Sequence, residues 1–270
     1  GRALSFKLFG NDALETAVTL LDQALALDPD FAEAWLLKGE VHQLIAIYMA
    51  CLDRPAESAR MAACVKRALS IKTDLGQAYS LLGFHQLVNN DFVGGLDLAF
   101  KGYRMDPGNP QVAMRLGSYL MFCGRTADGM RYVEEALAQD PIDGRKYMPR
   151  GCGPFGRGIC AAAIADHQRS VELGFASIFL AVATAATSQH DLAVEQYMQT
   201  RLLLNKSLFP PAGTAPMTPE VMDAYWLVAA KGVCSGNADD REPYCRTLDY
   251  LHMTMHDNGD LAIAAPAVFM

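Results

Sequence analysis

A few residues of this 270-residue chain stand at spacings that could do chemistry. The segment 151–158, GCGPFGRG, carries four glycines, and such a segment could turn successive backbone N–H groups toward a phosphate. A phosphate-binding loop also needs a Lys-Ser/Thr pair after it and a strand before it. Neither pattern is present, so we interpret this segment as a loop or a distorted helix.

His252 and His256 lie four residues apart on a predicted helix, a spacing that can hold a metal ion, but no third ligand is visible beside them. The seven cysteines are irregularly spaced, form no CxxC pair and, being odd in number, cannot all pair within one chain. No Ser/His/Asp or Cys/His set has a recognisable context. We therefore expect no catalytic residue, cofactor or metal here, and reduced thiols in a cytoplasmic protein.

The charge pattern excludes two classes of partner. The formal net charge is −7, the isoelectric point is near 5.3, and no Lys/Arg-rich run occurs. A nucleic-acid-binding surface or an anionic-membrane surface needs such a run. No run of about 18 apolar residues is present either, so no membrane-spanning helix is expected.

The elements that would position any site form a repeat. Residues 76–107 (GQAYSLLGFHQLVNNDFVGGLDLAFKGYRMDP) predict two short helices that end at Asp-Pro, and residues 110–141 repeat the pattern. The two Asp-Pro marks lie 141 − 107 = 34 residues apart. This period and pattern resemble the tetratricopeptide repeat, whose units are helical pairs.

Small residues in these repeats predict close helix pairing. Gly83 follows Tyr79-x2-Leu82 and Gly117 follows Ala113-x2-Leu116 on the first helices. Gly95 and Gly129 are the complementary small residues on the second helices. A glycine lets two helix backbones approach one another, because it has no Cβ.

The resemblance implies an all-α, right-handed α-α superhelix of about six helical hairpins. We assign 1–141 to regular repeats (the first truncated, the second elongated), 142–256 to degenerate hairpins with a Pro-rich linker at 205–219, and 257–270 to an apolar tail. The first residues fit the middle of a repeat's first helix, so we expect the chain to be a piece of a longer polypeptide.

The resemblance to tetratricopeptide repeats is strong for 12–141 and weak for 142–256, and a narrower resemblance exists within it. "ALALDPDFAEAW", the long repeat after it, and "GYRMDPGNPQVAMRLGSYLMFCGRTADGM" are similar to the repeat regions of bacterial signalling proteins whose effectors are class III adenylate/guanylate cyclases or winged-helix transcriptional regulators. The resemblance implies a non-catalytic regulatory module. None of the cyclase or DNA-binding residues lie in this chain.

The inner wall of the superhelix, lined by the first helices, is the expected binding surface. Counting along these helices gives a wall that begins polar, with Glu40, Gln43, Gln77 and Gln111, and becomes apolar. We expect the apolar part to bind a partner protein or peptide, or the protein's own N-terminal effector domain. The predicted contact residues are Phe84, Leu87, Met114, Ser118, Met121, Met148, Phe155, Phe175 and Trp226.

Two further expectations remain open. The alternative function is a small-molecule sensor with a pocket near 144–160, where the repeat pattern decays. Apolar end repeats also make an oligomer possible, because terminal repeats normally carry a polar cap.

Overall fold

The chain folds into consecutive antiparallel helical pairs. A computed structural model describes residues 13–48, 54–175, 177–204 and 219–244. Its helices are α1 Ala13–Leu27, α2 Ala32–Tyr48, α3 Arg54–Ile71, α4 Gly76–Val88, α5 Phe92–Met105, α6 Pro110–Phe122, α7 Thr126–Gln139, α8 Tyr147–Phe155, α9 Cys160–Glu172, α10 Ile178–Ala185, α11 His190–Leu204, α12 Pro219–Cys234 and α13 at 238–244. No strand occurs within these described ranges, and the predicted all-α class is confirmed.

After α1, the helices pair in chain order from α2/α3 to α12/α13. The even-numbered first helices of successive pairs also contact one another, as helices that line the inner wall of such a superhelix do. The helices α2 and α3 have 17 and 18 residues, against 13 and 14 for α4 and α5. The apolar tail and all but the last residue of the Pro-rich linker lie outside the described residues.

Local signals in the sequence set the helix boundaries. Before α6, the Asn109 side chain accepts a hydrogen bond from the Gln111 N–H at 3.0 Å, and Pro110 occupies the first helical position. Before α5, the Asp91 side chain accepts from the Gly94 N–H at 2.9 Å. These caps satisfy N–H groups that the first helical turn leaves without partners.

Glycines hold the paired helices close together, as the sequence predicts. A Cβ built at Gly83 would lie 2.7 Å from the Gly95 carbonyl oxygen, and one built at Gly117 would lie 2.7 Å from the Gly129 carbonyl oxygen. Both distances are shorter than a side chain permits. The glycine pattern in the sequence thus predicts where two helix backbones approach one another closely.

The segment 151–158 differs in part from its interpretation as a loop or distorted helix. Residues up to Phe155 continue α8, and only the residues after it form the turn, with Gly158 at a φ of +74°. Gly151 faces the ring of His167, and Gly153 faces the sulfur of Met130. These glycines therefore serve helix packing within a regular element.

One long-range contact closes the superhelix on itself. Phe175, between α9 and α10, is 3% exposed and packs in the apolar cluster formed by α1 and α2. Its other buried members are Leu14, Ala17, Leu21, Leu25, Ala34, Val41 and Leu44. The chain thus returns to α1 and α2 after three further helical pairs, α4/α5, α6/α7 and α8/α9. No described helix is long and apolar enough to cross a bilayer.

Candidate partner-binding cleft

Arg115 joins two inner-wall helices that belong to repeats two apart. From α6 its Nη2 donates to Glu40 Oε1 of α2 at 2.8 Å, and its Nε donates to Gln43 Oε1 at 3.1 Å. The Arg115 and Glu40 side chains are 6% and 15% exposed. Both charges are largely removed from water, so the ion pair offsets the cost of burying them only while its hydrogen-bonding geometry is kept.

Neighbouring side chains extend this contact into a network. Gln43 Nε2 donates to the Tyr119 hydroxyl at 3.1 Å, and Gln77 of α4 donates to the same Glu40 oxygen that Arg115 contacts. Burial raises the pKa of Tyr119 to about 12, although Arg115 nearby opposes that shift. The Tyr119 hydroxyl therefore stays protonated, and the network fixes α2, α4 and α6 relative to one another.

Replacement of Tyr119 by phenylalanine is expected to lower the free energy of unfolding by about 1 kcal/mol, because the buried Gln43 amide loses its acceptor. Urea denaturation measures the change. The matched control is Tyr79→Phe, whose hydroxyl contact to the Thr73 carbonyl is exposed and 3.5 Å long. If both variants lose the same free energy of unfolding, the buried bond from Gln43 to Tyr119 adds no more stability than an exposed one.

A second polar group borders the first. Asp143 accepts hydrogen bonds from Arg145, from Gln111 at 2.6 Å and from Lys146 at 3.2 Å. Burial alone would raise the pKa of Asp143, but the bonds from Arg145, together with Lys146 and Gln111, outweigh it and hold that pKa well below its usual range. Lys146, with no exposed surface, also contacts Asp140 at 2.6 Å.

Members of both groups line a cleft of about 450 Å³ on the inner wall. Its lining comes from α2, α4, the start of α6 and the segment before α8. The lining residues are Leu37, Glu40, Leu44, Gln77, Asp106, Gly108, Asn109, Pro110, Gln111, Arg115, Asp140 and Arg145. Most of its hydrogen-bonding groups are already oriented by one another.

Two lining side chains keep an unused hydrogen-bonding atom. Arg115 Nη1 is a buried donor and Gln111 Oε1 a buried acceptor, and neither finds a partner among the described residues. The two residues lie one turn apart on α6. A buried polar atom without a partner costs about 1–3 kcal/mol, so these two atoms offset part of the stability that the network contributes.

The structure places the predicted contact residues of α4 and α6 beside this cleft's network or in the helix packing. Phe84 and Leu87 are partly buried and pack on the cluster around Leu120, and the Phe84 ring lies 6.4 Å from that of Tyr119. Met114, Ser118 and Met121 are half-buried on α6. None of these five lines the cleft.

The predicted contacts of the later repeats are spread more widely. Met148 and Phe155 are half-buried at the two ends of α8. Phe175 lies in the α1–α2 cluster. Trp226 belongs to α12, but its side chain lies outside the described residues. Whether these residues contact a partner stays a prediction.

Sequence reasoning missed Arg115. It counted inner-wall positions at fixed intervals along each helix, which gave Gln111 and Met114 but passed over residue 115. A signal was present, since Arg115 is the one charged residue in the otherwise apolar and polar-neutral helix PQVAMRLGSYLMF. Its partner Glu40, 75 residues earlier, was placed on the wall but not paired with it.

The other groups with possible chemistry add no site to the cleft. The described residues contain no cluster of three or more His, Cys, Asp or Glu side chains arranged to hold a metal. His252 and His256 lie outside those residues. His167 is fully buried against Gly151, and this burial lowers its pKa to about 4.

Comparison with known proteins identifies the architecture. No protein-family model and no curated protein sequence matches the chain. Among solved structures, the Cut9–Hcn1 hetero-tetramer of the APC/C is similar over 87% of this chain and 46% of that one, with a TM-score of 0.58 and 13% identity. The fold is a tetratricopeptide-repeat superhelix.

Two further solved structures are similar at lower TM-scores. YrrB, described as a TPR protein with an unusual peptide-binding site, is 17% identical with a TM-score of 0.40 and covers 68% of this chain and 92% of its own. PilF of Pseudomonas aeruginosa is 14% identical with a TM-score of 0.49 and covers 83% of this chain and 91% of its own. These likenesses concern the fold alone.

Proposed function

We propose that this tetratricopeptide-repeat chain is a protein-interaction module that binds a segment of a partner protein in the inner-wall cleft. The observation that carries the proposal is the cleft itself, where polar side chains from three inner-wall helices are held in place by the Arg115 network. Groups that are already ordered lose little conformational entropy when a partner binds.

The dimensions of the cleft support a short segment as the occupant. About 450 Å³ is enough for a few residues of an extended chain, but not for a folded domain. From the cleft the segment would continue along the wall toward Met114, Ser118 and Met121. The apolar part of the wall that the sequence predicts would then be the outer part of the proposed site. The later contact residues, from Met148 onward, would extend it further.

The biological setting of the proposal is suggested by the resemblance to the repeat regions of bacterial signalling proteins. The partner would be a separate protein or the effector domain of a bacterial signalling protein, and the module would regulate that effector in the cytoplasm. Binding, release or a change in register of the segment would transmit the signal. Oligomer formation through the end repeats stays a prediction.

The replacement Leu37→Glu is expected to weaken partner binding at least about tenfold, because it places a charge on a cleft wall that contacts the segment through apolar surface. Peptides selected from a random displayed library against the full chain provide the ligand. Fluorescence polarisation of a selected peptide measures its affinity for each variant. Circular dichroism melts establish that each variant is folded.

The matched control is Leu27→Glu, because Leu27 lies at the end of α1 and is 90% exposed. That variant should bind like wild type. Selected peptides that bind Leu37→Glu at full affinity would place the binding site elsewhere. The double variant Phe84→Asp with Met121→Asp then tests whether the sequence-based groove is the site.

A small-molecule sensor is the second candidate function. Arg145, from the segment 144–160 that suggested it, lines the cleft, and the cleft volume falls in the range of small-ligand sites. A thermal-shift screen against metabolites separates the two functions. A ligand that raises the melting temperature of wild type but not of Leu37→Glu, without any selected peptide, would favour the sensor.

A further inference from the structure

We infer that Phe175 is an intramolecular latch, which holds α1 and α2 against the later repeats and can release them without unfolding any helical pair. In the latched state, Phe175 joins α2 to the segment before α8, and the cleft is assembled. In the released state, α1, α2 and α3 rotate away together, and the two sides of the cleft separate. The inference concerns a conformational change of the chain itself, whatever occupies the cleft.

Phe175 packs on both sides of the cleft without lining it. On one side it belongs to the apolar cluster of α1 and α2, which includes Leu44 and against which Leu37 packs. Both leucines also line the cleft. On the other side, a Cβ built at Gly144 would lie 2.7 Å from the Cδ2 atom of Phe175. Gly144 directly precedes Arg145, another lining residue, so Phe175 links the two sides.

The end of α9 holds the latch in position. Gly174 has a φ of +89°, a conformation that favours glycine, and it turns the chain at the end of the helix. The Phe175 N–H then donates to the Ser170 carbonyl at 3.0 Å. The Ser170 hydroxyl donates in turn to the Gly144 carbonyl at 2.9 Å. Hydrogen bonds therefore tie Phe175 to the later repeats, whereas its contact with α1 and α2 is apolar packing.

The contacts between α2 and the later repeats skip at least the α4/α5 pair. They include the packing of Phe175 and the bonds of Arg115 to Glu40 and Gln43. In a repeat superhelix each unit is stabilised mainly by its neighbours, so contacts between distant units can break while every unit stays folded. The turn at 72–75, between α3 and α4, is the connection about which α1, α2 and α3 would rotate.

Release would disassemble the cleft, because its lining comes from both sides of the latch. Leu37, Glu40 and Leu44 belong to α2. Asp140 and Arg145 lie in the segment before α8. An occupant that contacts both sides binds the latched state and shifts the equilibrium toward it. This coupling rests on the proposed function, whereas the latch itself does not.

Distances between two fluorescent labels test the latch in the full 270-residue chain. Non-canonical amino acids at Gln23 and Gln168, which are exposed on α1 and α9, carry the reporting pair and leave the seven cysteines in place. A reference pair at Arg131 and Gln168 lies within the later repeats. Phe175→Ser should lengthen the Gln23–Gln168 distance by at least about 5 Å, half the spacing of packed helices, and leave the reference distance unchanged.

Two further variants control for the chemistry of this change. Phe175→Leu keeps apolar bulk at the latch, so its Gln23–Gln168 distance should stay closer to wild type than that of Phe175→Ser. Phe122→Ser removes a phenylalanine that is 63% exposed at the end of α6, and both distances should keep their wild-type values. An unchanged Gln23–Gln168 distance in folded Phe175→Ser would overturn the latch. A change of both distances would also overturn it, because the later repeats would then not move as one unit.

Wild-type protein decides the question if Phe175→Ser does not fold. Urea weakens apolar packing, so concentrations below the unfolding midpoint should lengthen the Gln23–Gln168 distance while the helical circular dichroism signal keeps its native value. A distance that changes only together with the loss of helix would mean that the latch has no released state, and the inference would be wrong.

The coupling to binding has its own readout, with the peptides selected against the wild-type chain as probes. The apparent affinity falls by the fraction of molecules that are latched, so a latched fraction of about one tenth in Phe175→Ser should weaken binding about tenfold. If no peptide is selected, the proposed function is wrong, and the label distances still decide the latch. Wild-type affinity in a variant whose labels have separated would overturn the coupling, because binding would then not need both sides of the cleft.

Discussion

Replacement of Arg115 by alanine should lower the free energy of unfolding by about 3–5 kcal/mol, because the change leaves the carboxylate of Glu40 buried without its cation. The same change removes the hydrogen bond that Arg115 Nε donates to Gln43, and it leaves the bond from Gln43 to Tyr119 as the remaining link of this network between α2 and α6. The loss should appear as a lower urea midpoint with a similar slope, followed by circular dichroism at 222 nm.

A surface ion pair provides the matched control for this expectation. Arg125 contacts Asp128 at 2.7 Å, but the two side chains are 52% and 46% exposed. Arg125→Ala should therefore change stability by at most about 0.5–1 kcal/mol. A loss of less than 1 kcal/mol for Arg115→Ala would show that the pair between α2 and α6 does not hold the superhelix together.

Replacing both Glu40 and Arg115 separates the attraction between their charges from the cost of removing those charges from water. In Glu40→Leu with Arg115→Met no charge is left buried alone, so this double variant should lose less stability than Arg115→Ala. Its peptide binding should nevertheless fall, because Arg115 no longer orders Glu40 and Gln43 beside the cleft. Stability and binding would then respond differently to the same position.

The helical pairs could be predicted from the sequence because their signals are local. Asp-Pro at the helix ends, Asn109 before Pro110, and the glycines Gly83 and Gly117 all act within one repeat. Each repeat contacts mainly its neighbours, so a pattern that recurs every 34 residues describes the core of every copy. The close approach of Gly117 to Gly129 is the structural counterpart of that spacing.

The cleft could not be predicted in the same way, because it depends on how far the superhelix winds per repeat. The contact between Glu40 and Arg115 skips the repeat between them, and that contact follows from the pitch, which no single repeat encodes. The position of Phe175 has the same origin. It lies on an apolar surface of α1 and α2, far away in sequence, which only the wound chain brings near.

The segment 151–158 shows a limit of residue propensity. Glycine and proline there suggest a broken helix, yet α8 runs through Gly151, Gly153 and Pro154 to Phe155. A Cβ at Gly151 would lie 2.7 Å from the Nε2 atom of His167, and one at Gly153 would lie 2.6 Å from the Met130 sulfur. Tertiary packing thus requires glycine where propensity alone disfavours a helix.

The replacement Gly117→Ala is expected to destabilise the protein by about 3 kcal/mol, although alanine normally stabilises a helix interior relative to glycine by about 0.5–1 kcal/mol. The new Cβ would lie 2.7 Å from the Gly129 carbonyl oxygen, 2.7 Å from Val133 Cγ2 and 3.0 Å from the Val133 nitrogen. Two of these three atoms belong to the backbone of α7 and cannot rotate away. The helices α6 and α7 would have to separate, which costs packing along their whole contact.

The sign of the effect makes this test decisive for the close helix pairing. Gly108→Ala is the matched control, because a Cβ there meets nothing within 4 Å, and it should change stability by no more than about 0.5 kcal/mol. Thermal and urea denaturation of both variants measure the difference. An unchanged or raised stability for Gly117→Ala would mean that α6 and α7 lie further apart than described. Since α6 carries Gln111 and Arg115, such a separation would also change the geometry of the cleft.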